Sequence, residues 1–406
     1  MLVIFSSFLS PLNSFLFGYL THEHFDQRMA LKKQIIHTKT SMNGLMFFYK
    51  SYYIRNESFL QENLVLMLGF LTSNNVAALD FLCYNEPNKL RRLVMEKGKI
   101  IQGIKTNTSV SVFVSTLFYI FLASFFIEGG LWIGSELVGP FSQVIGFLVE
   151  FFSPGSGTAG VLEFFYHYLL YYELLCFVFI LLPFLFWVKV IEKNPLSSLG
   201  FVKRNWLKYL AWGIMISLLQ MGVIALVYQG SGIGSFELNE LSLEPLLFIL
   251  GLFPFWLLQG GTEEVATRGW LLTRIAARTN LPLAIAISSS FFGILHMGNS
   301  GVTFLSVLNI ILDGVLAALL FIYTDSIWLV VAQHGTWNYV QGNLLGFQVS
   351  GTGADASIFR FTMGSGPDWL TGGAFGAEGS IITTLVLLLS IVIVYRLGER
   401  KVKFDD

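Results

Sequence analysis

The chain has 406 residues, 54% of them hydrophobic and 13% charged, with a mean hydropathy of +0.65 and a formal net charge of −1. A soluble domain carries about 25% charged residues, so this composition excludes an ordinary water-soluble globule. The near-zero charge offers nucleic acid no electrostatic attraction, and two distant cysteines, Cys83 and Cys176, give neither a disulfide framework nor a metal signature.

Residues 1–94 form a poorly defined N-terminal extension. Apolar runs near 3–20 and 59–83, interrupted by Asn, Tyr and Lys, leave room for one or two spans. The opening MLVIFSSFLS has no basic n-region and is a poor signal peptide. Met95 is an alternative start, because MEKGKI leads directly into a clean span. The isolated His22-Glu23-His24 is too sparse a pattern to read as a metal site.

A helix needs about 20 apolar residues to cross a hydrocarbon core about 30 Å thick. Candidate spans lie near 109–127, 168–190, 209–228, 245–277, 281–297, 302–323, 327–348 and 380–395. The expected fold is therefore all-α, a polytopic membrane bundle of about eight core helices. Segment 95–194 holds the first of them, 349–379 is a Gly-rich external loop, and 380–406 is the last helix with a basic tail. That loop reads as a linker in preference to a mobile lid. The fourth span would run roughly 50 Å, so it must tilt, break or project from the membrane.

Basic residues set the orientation. Lys97, Lys99, Lys105, Lys193, Lys203, Arg204, Lys208, Arg274, Arg278, Arg396, Arg400, Lys401 and Lys403 fall on one side if the eight spans alternate. Glu136, Glu150, Glu237, Glu240 and Glu244 fall in loops on the other. This places the C-terminus in the cytoplasm of an integral membrane protein whose partner is the lipid bilayer.

Ionisable groups inside a bilayer cost about 2.5–3.5 kcal/mol each on insertion scales, so they persist where they pair or work. Three groups qualify. In Gly-Gly-Thr-Glu263-Glu264-Val-Ala-Thr-Arg268, Glu264 and Arg268 are spaced for an i,i+4 ion pair. Glu263 then faces another partner, and a carboxylate in an apolar cavity suits general-base work on water. Phe292 and His296 share one helix face, as do His334 and Asn338. A neutral His and an Asn on one face present donors toward one point, as an oxyanion hole requires. Counted at about 1.5 Å per residue from their cytoplasmic ends, Glu263, His296, His334 and Asn338 lie roughly 21, 22, 10 and 16 Å deep, close enough to share a cavity.

Glu-Glu-x-x-x-Arg, Phe-x-x-x-His and His-x-x-x-Asn, in this order on successive hydrophobic helices, resemble the CPBP family of CAAX-processing and bacteriocin-immunity-type endopeptidases. The resemblance covers roughly 195–348, with Ser198-Leu-Gly-Phe201 as a weaker lead-in, and marks that stretch as a catalytic intramembrane domain. It implies that Glu263 activates the attacking water with help from His296. It further implies that His334 and Asn338 stabilise the oxyanion, and that Glu264, Arg268 and Phe292 support the site. The family's class is debated between glutamate protease and metalloprotease. No His-Glu-x-x-His is present, yet Glu263, His296 and His334 can bind zinc. The substrate implied is a membrane-associated or lipidated peptide or protein, and the setting a bacterial plasma membrane.

Other readings share these residues. They can form a polar packing network in a non-enzymatic immunity or regulatory protein, or a proton relay in a transporter. A transporter calls for titratable groups along the whole bilayer thickness, whereas these cluster in one zone. Asp313 and Glu173 can line the cavity, but they read more readily as buried, paired structural groups or as neighbours of a helix kink; Gln259 and Gln333 read as interhelical hydrogen bonders, and His167 as an interfacial residue.

Overall fold

The computed structural model describes residues 99–104, 110–152, 168–353 and 356–405. The expectations for residues 1–94, Met95, Lys97, Lys105 and His167 lie outside these residues, as do those for the side chains of Lys99, Glu150, Arg400, Lys401 and Lys403.

The described chain is a bundle of long helices with one small strand pair. Helix α1 spans Val112–Glu136, α2 Val138–Phe152, α3 Leu169–Ile191 and α4 Trp206–Ser231. Strand β1 (Gly234–Leu238) precedes α5, which runs unbroken over Leu243–Arg278. Then come α6 (Leu281–Leu295), α7 (Phe304–Thr324), α8 (Trp328–Tyr339, continued by a π-helical turn to Leu344), β2 (Phe359–Met363) and α9 (Ile381–Asp405). Five helices among the described residues are long and apolar enough to cross a membrane: α1, α3, α4, α5 and α7. The sequence-expected spans coincide with α1 and α3–α9 to within a few residues at most ends. Helix α2 occupies ground expected to be loop, so Glu136 and Glu150 sit on helical backbone.

Local signals explain the helix starts. Ser111 caps α1 through Val114 N, and Asn280 caps α6 through Leu283 N just before Pro282. Thr303 and Ser306 form a reciprocal capping box at α7.

The bundle is layered. The outer helices turn large apolar side chains outward, including Phe113, Phe121 and Phe125 of α1, Leu219 and Leu226 of α4, and Leu385 and Leu389 of α9. In water such faces would drive aggregation; in a bilayer they are matched by lipid. The second half of α5 and most of α8 are instead buried: every residue from Val265 to Leu272 and from Leu329 to Tyr339 is enclosed by protein. The molecule is therefore an integral, multi-pass membrane protein whose two central helices face other helices.

Small residues let these central helices touch. A Cβ on Gly260 would lie 2.7 Å from the Gly335 backbone nitrogen, and one on Gly335 would lie 2.7 Å from the Trp256 carbonyl oxygen. With hydrogen in both places, α5 and α8 meet backbone to backbone, the close approach that membrane helices achieve at small residues. Gly213 of α4 similarly admits the Leu329 carbonyl.

Two sets of connections mark the two ends of the bundle. At one end Gly200, with φ of +92°, accepts a hydrogen bond from Ile327 N at 2.9 Å, joining the α3–α4 and α7–α8 connections. A side chain at Gly200 would strike Phe321 and Ile327. At the other end β1 and β2 pair antiparallel, from Gly234 with Met363 to Leu238 with Phe359, and Asn299 Nδ2 donates to Ser350 O at 2.8 Å.

The Gly-rich stretch 351–379 departs from the linker expectation. It contributes β2, a short helix Asp368–Thr371 and two tight turns. It is anchored by Glu378, a buried carboxylate that accepts from Trp337 Nε1 at 3.0 Å and from Ser350 N and Oγ at 2.7 and 2.8 Å. Gly376 holds φ of +92° where a Cβ would meet the Gln348 carbonyl at 2.1 Å. Glycine is used here to pack backbone closely.

Arg274 is also unlike its expected interfacial charge. It is buried and reaches across 82 residues to Glu192, with Nη2–Oε2 at 2.6 Å. Its Nη1 donates to Ser198 O, and Trp270 Nε1 donates to Glu192 Oε1 at 2.9 Å. Burial alone would raise the Glu192 pKa. The hydrogen bonds and charge of Arg274, with those from Trp270 and Asn194, outweigh it and hold the carboxyl below its ordinary 4.5.

Candidate active site

The site is built on the contact of α5 with α8. Glu263 and Glu264 end the α-helical part of α5, and Val265–Leu272 continues it in wider π-helical turns. Such turns are rare and concentrate at functional sites.

Glu264 and Arg268 form the ion pair that the spacing predicts, at 2.9 Å, with both side chains 0% exposed. Arg268 Nη1 also donates to Thr267 Oγ1 at 2.7 Å, and its guanidinium lies 4.5 Å from the Phe292 ring centre. Thr267 in turn donates to the Glu263 carbonyl at 2.6 Å. The same Glu264 oxygen, Oε1, lies 2.9 Å from His334 Nδ1.

Glu263 does not look away from this pair. Its Oε2 lies 3.6 Å from His334 Nε2, so the two adjacent carboxylates address the two nitrogens of one imidazole. Its Oε1 accepts from Gln259 Nε2 at 2.7 Å, while Oε2 is buried without a hydrogen-bond partner. The Glu263 side chain as a whole is 21% exposed, against 0% for Glu264. Of the two, Glu263 is the more exposed side chain, while its Oε2 is itself enclosed.

A carboxylate can only accept, so the proton on the Glu264 side of His334 sits on Nδ1. Nε2 can then donate only if the ring is doubly protonated. The sequence reading of a neutral His334 as oxyanion donor does not fit that geometry. Asn338 keeps its place on the His334 face, and its Nδ2 donates to Gln259 Oε1 at 2.8 Å, leaving its second N–H for another acceptor.

His296 caps the C-terminus of α6, where its Nδ1 donates to the Phe292 carbonyl at 2.8 Å. A neutral His296 therefore carries its lone pair on Nε2. Its ring packs edge-on against Phe292, centroids 4.7 Å apart, and Phe292 packs edge-on against His334 at 5.7 Å. The structure thus joins Glu263, Glu264, Arg268, His334 and Asn338 in one polar chain, with His296 reached through Phe292. Among the described residues, no three His, Cys, Asp or Glu side chains are grouped to hold a metal ion. The set Glu263, His296 and His334 therefore does not fit a three-ligand zinc site.

Family comparison agrees with the motifs. The model described as type II CAAX prenyl endopeptidase Rce1-like matches residues 245–340. Over residues 245–340 the chain is Rce1-like. This stretch contains all seven residues that the motifs single out, and it ends at the first residue of the π-helical turn of α8. No curated protein and no solved structure matches the chain. The match supports an intramembrane endopeptidase in general.

Two parts of the Rce1-like domain escape the motif reading. Gln259, read only as an interhelical hydrogen bonder, also holds Glu263; its i,i+4 spacing to that glutamate is the signal. Thr267 links Arg268 to the α5 backbone and carries no comparable signal. Asp313 is half-buried, with Gln333 Nε2 at 3.5 Å from its Oδ1, and it lies within electrostatic range of His334, Arg268 and Glu264, so it borders the candidate site.

Proposed function

We propose that the protein hydrolyses a peptide bond of a membrane-associated or lipidated peptide or protein, with Glu263 as general base. The observation that carries this is the unpartnered Oε2 of Glu263, held beside His334 Nε2 while Oε1 is tied to Gln259. The printed description of the matched family, a CAAX prenyl endopeptidase, favours a lipidated C-terminal substrate.

In this mechanism a water placed at Oε2 gives up a proton to Glu263 as its oxygen attacks the carbonyl carbon. His296 Nε2 is the second acceptor that can orient this water. The oxyanion that develops is met by the free N–H of Asn338 and, when the ring is doubly protonated, by Nε2–H of His334. When the C–N bond breaks, the proton held by Glu263 passes to the leaving nitrogen. Glu264 and Arg268 fix the His334 ring from behind.

The basic residues Lys193, Lys203, Arg204 and Arg278 occupy the α3–α4 and α5–α6 connections, at the end marked by the Gly200–Ile327 bond. We place this end, with the C-terminus, in the cytoplasm.

The test is cleavage of a quenched fluorescent lipopeptide and of membrane proteins by the purified protein in detergent, with wild type compared with Glu263→Ala and His334→Ala. Cleavage by wild type and loss in both variants is the expected result. No cleavage by wild type, with equal activity of all three in a host-protection assay, would favour a non-enzymatic membrane protein of the same fold.

A further inference from the structure

We infer that Gln259 is a positioning residue of this site, locking the base Glu263 and the oxyanion donor Asn338 into one arrangement. The inference rests on the proteolytic reading above. Gln259 is buried on α5, one turn before Glu263. Its Nε2 lies 2.7 Å from Glu263 Oε1, and its Oε1 lies 2.8 Å from Asn338 Nδ2.

The direction of this bridge follows from the chemistry of its ends. An ionised Glu263 only accepts, so the glutamine must turn its nitrogen toward it. The glutamine oxygen then faces Asn338, and of the two ends of the asparagine amide only Nδ2 can donate. One side chain therefore settles two questions. It occupies Oε1 of Glu263, which leaves Oε2 as the basic oxygen, and it sets the amide of Asn338 so that one N–H stays free.

Neither close replacement does both at this position. Glutamate would face Glu263 with a third acceptor and a like charge. Methionine keeps the volume and offers neither donor nor acceptor. The bridge spans the α5–α8 seam, where the Gly260–Gly335 contact holds the helices close enough for a single side chain to cross. A glutamine that served only to satisfy this seam would affect stability and leave turnover alone.

The experiment compares full-length wild type, Glu263→Ala, Gln259→Met, Asn338→Ala and the Gln259→Met/Asn338→Ala double variant in detergent. It reads kcat and KM on a peptide that wild type cleaves, together with Tm. Gln259→Met is expected to lower kcat by roughly 10- to 100-fold with KM within about threefold, and to lower Tm by less than about 5 °C. The double variant is expected to lose less than the product of the two single losses, because the Gln259–Asn338 half of the bridge is broken in both single variants. Full kcat in Gln259→Met, a loss carried by KM, or multiplicative losses would overturn the inference while the proteolytic reading stands. If wild type cleaves nothing, that reading falls and Tm decides the bridge. A loss in the double variant smaller than the summed single losses supports it, and an additive loss overturns it.

Discussion

His334 Nδ1 lies 2.9 Å from Glu264 Oε1, the oxygen that also takes the Arg268 hydrogen bond. This shared oxygen makes Glu264 the structural hinge of the site and separates its fate from that of its neighbour. Breaking one member of a buried ion pair costs about 3–5 kcal/mol, because the other charge is left uncompensated. Glu264→Leu is therefore expected to strand Arg268, lower Tm sharply and abolish cleavage. Thermal melting in detergent checks it; a variant with wild-type Tm would contradict the structure.

Glu263→Gln should behave in the opposite way. The amide is isosteric, and no ion pair as buried as that of Glu264 is lost. Removal of a general base typically lowers rate by about 10²–10⁴-fold. The expected outcome is a folded, inserted protein with Tm near wild type and kcat reduced by about that factor.

Gly260→Ala tests the seam. Its Cβ would stand 2.7 Å from Gly335 N, where nothing flexible can yield. Overpacking of this kind costs about 1–3 kcal/mol. Here it must also push α8 from α5, lengthening the Glu264–His334 contact. Loss of both Tm and activity is expected, whereas Gly222→Ala, which meets nothing within 4 Å, should change neither.

Glu192 predicts a pH dependence. Its folded pKa is lowered, so the ion pair with Arg274 stabilises the fold above the unfolded value and is lost as pH falls through the folded one. Glu192→Gln should be less stable than wild type at pH 7, and the difference should shrink below about pH 4. Melting curves from pH 3 to pH 8 would show it; a gap that stays constant would count against the pairing.

Glu378→Ala should loosen the segment it anchors. Three donors, Trp337 Nε1 and the Ser350 N and Oγ, would lose their acceptor. Faster proteolytic nicking within 351–379 is expected, as is faster amide exchange there. An unchanged digestion pattern would mean that other contacts hold the segment.

What could be read from the sequence was local. The Glu264–Arg268 pair needs only one helical turn, and the spans need only runs of apolar residues, so both were visible. The placement of His334 between two carboxylates depends on Gly260 meeting Gly335, an approach between helices about 70 residues apart, and no spacing rule contains it. The sequence offers Arg274 only as one more basic residue for the orientation, because its partner Glu192 lies 82 residues away. The 351–379 stretch was read as a linker because glycine gives the same composition to a loose chain and to one packed backbone on backbone. Only the contacts of Glu378 and Gly376 distinguish the two.

The π-helical stretch Val265–Leu272 carries a further consequence. A π turn holds an extra residue compared with an α turn, so removing one residue from this stretch would let the helix close into the ordinary ladder. Glu263 and Glu264 precede the stretch and would keep their register. The segment after it would shift in phase and rise relative to the segment before it, moving Arg274 against the Glu192 carboxylate. Helix α5 is thus two segments joined by an insertion, one register set for chemistry and the other for anchoring, and the length of eight residues fixes their relative phase.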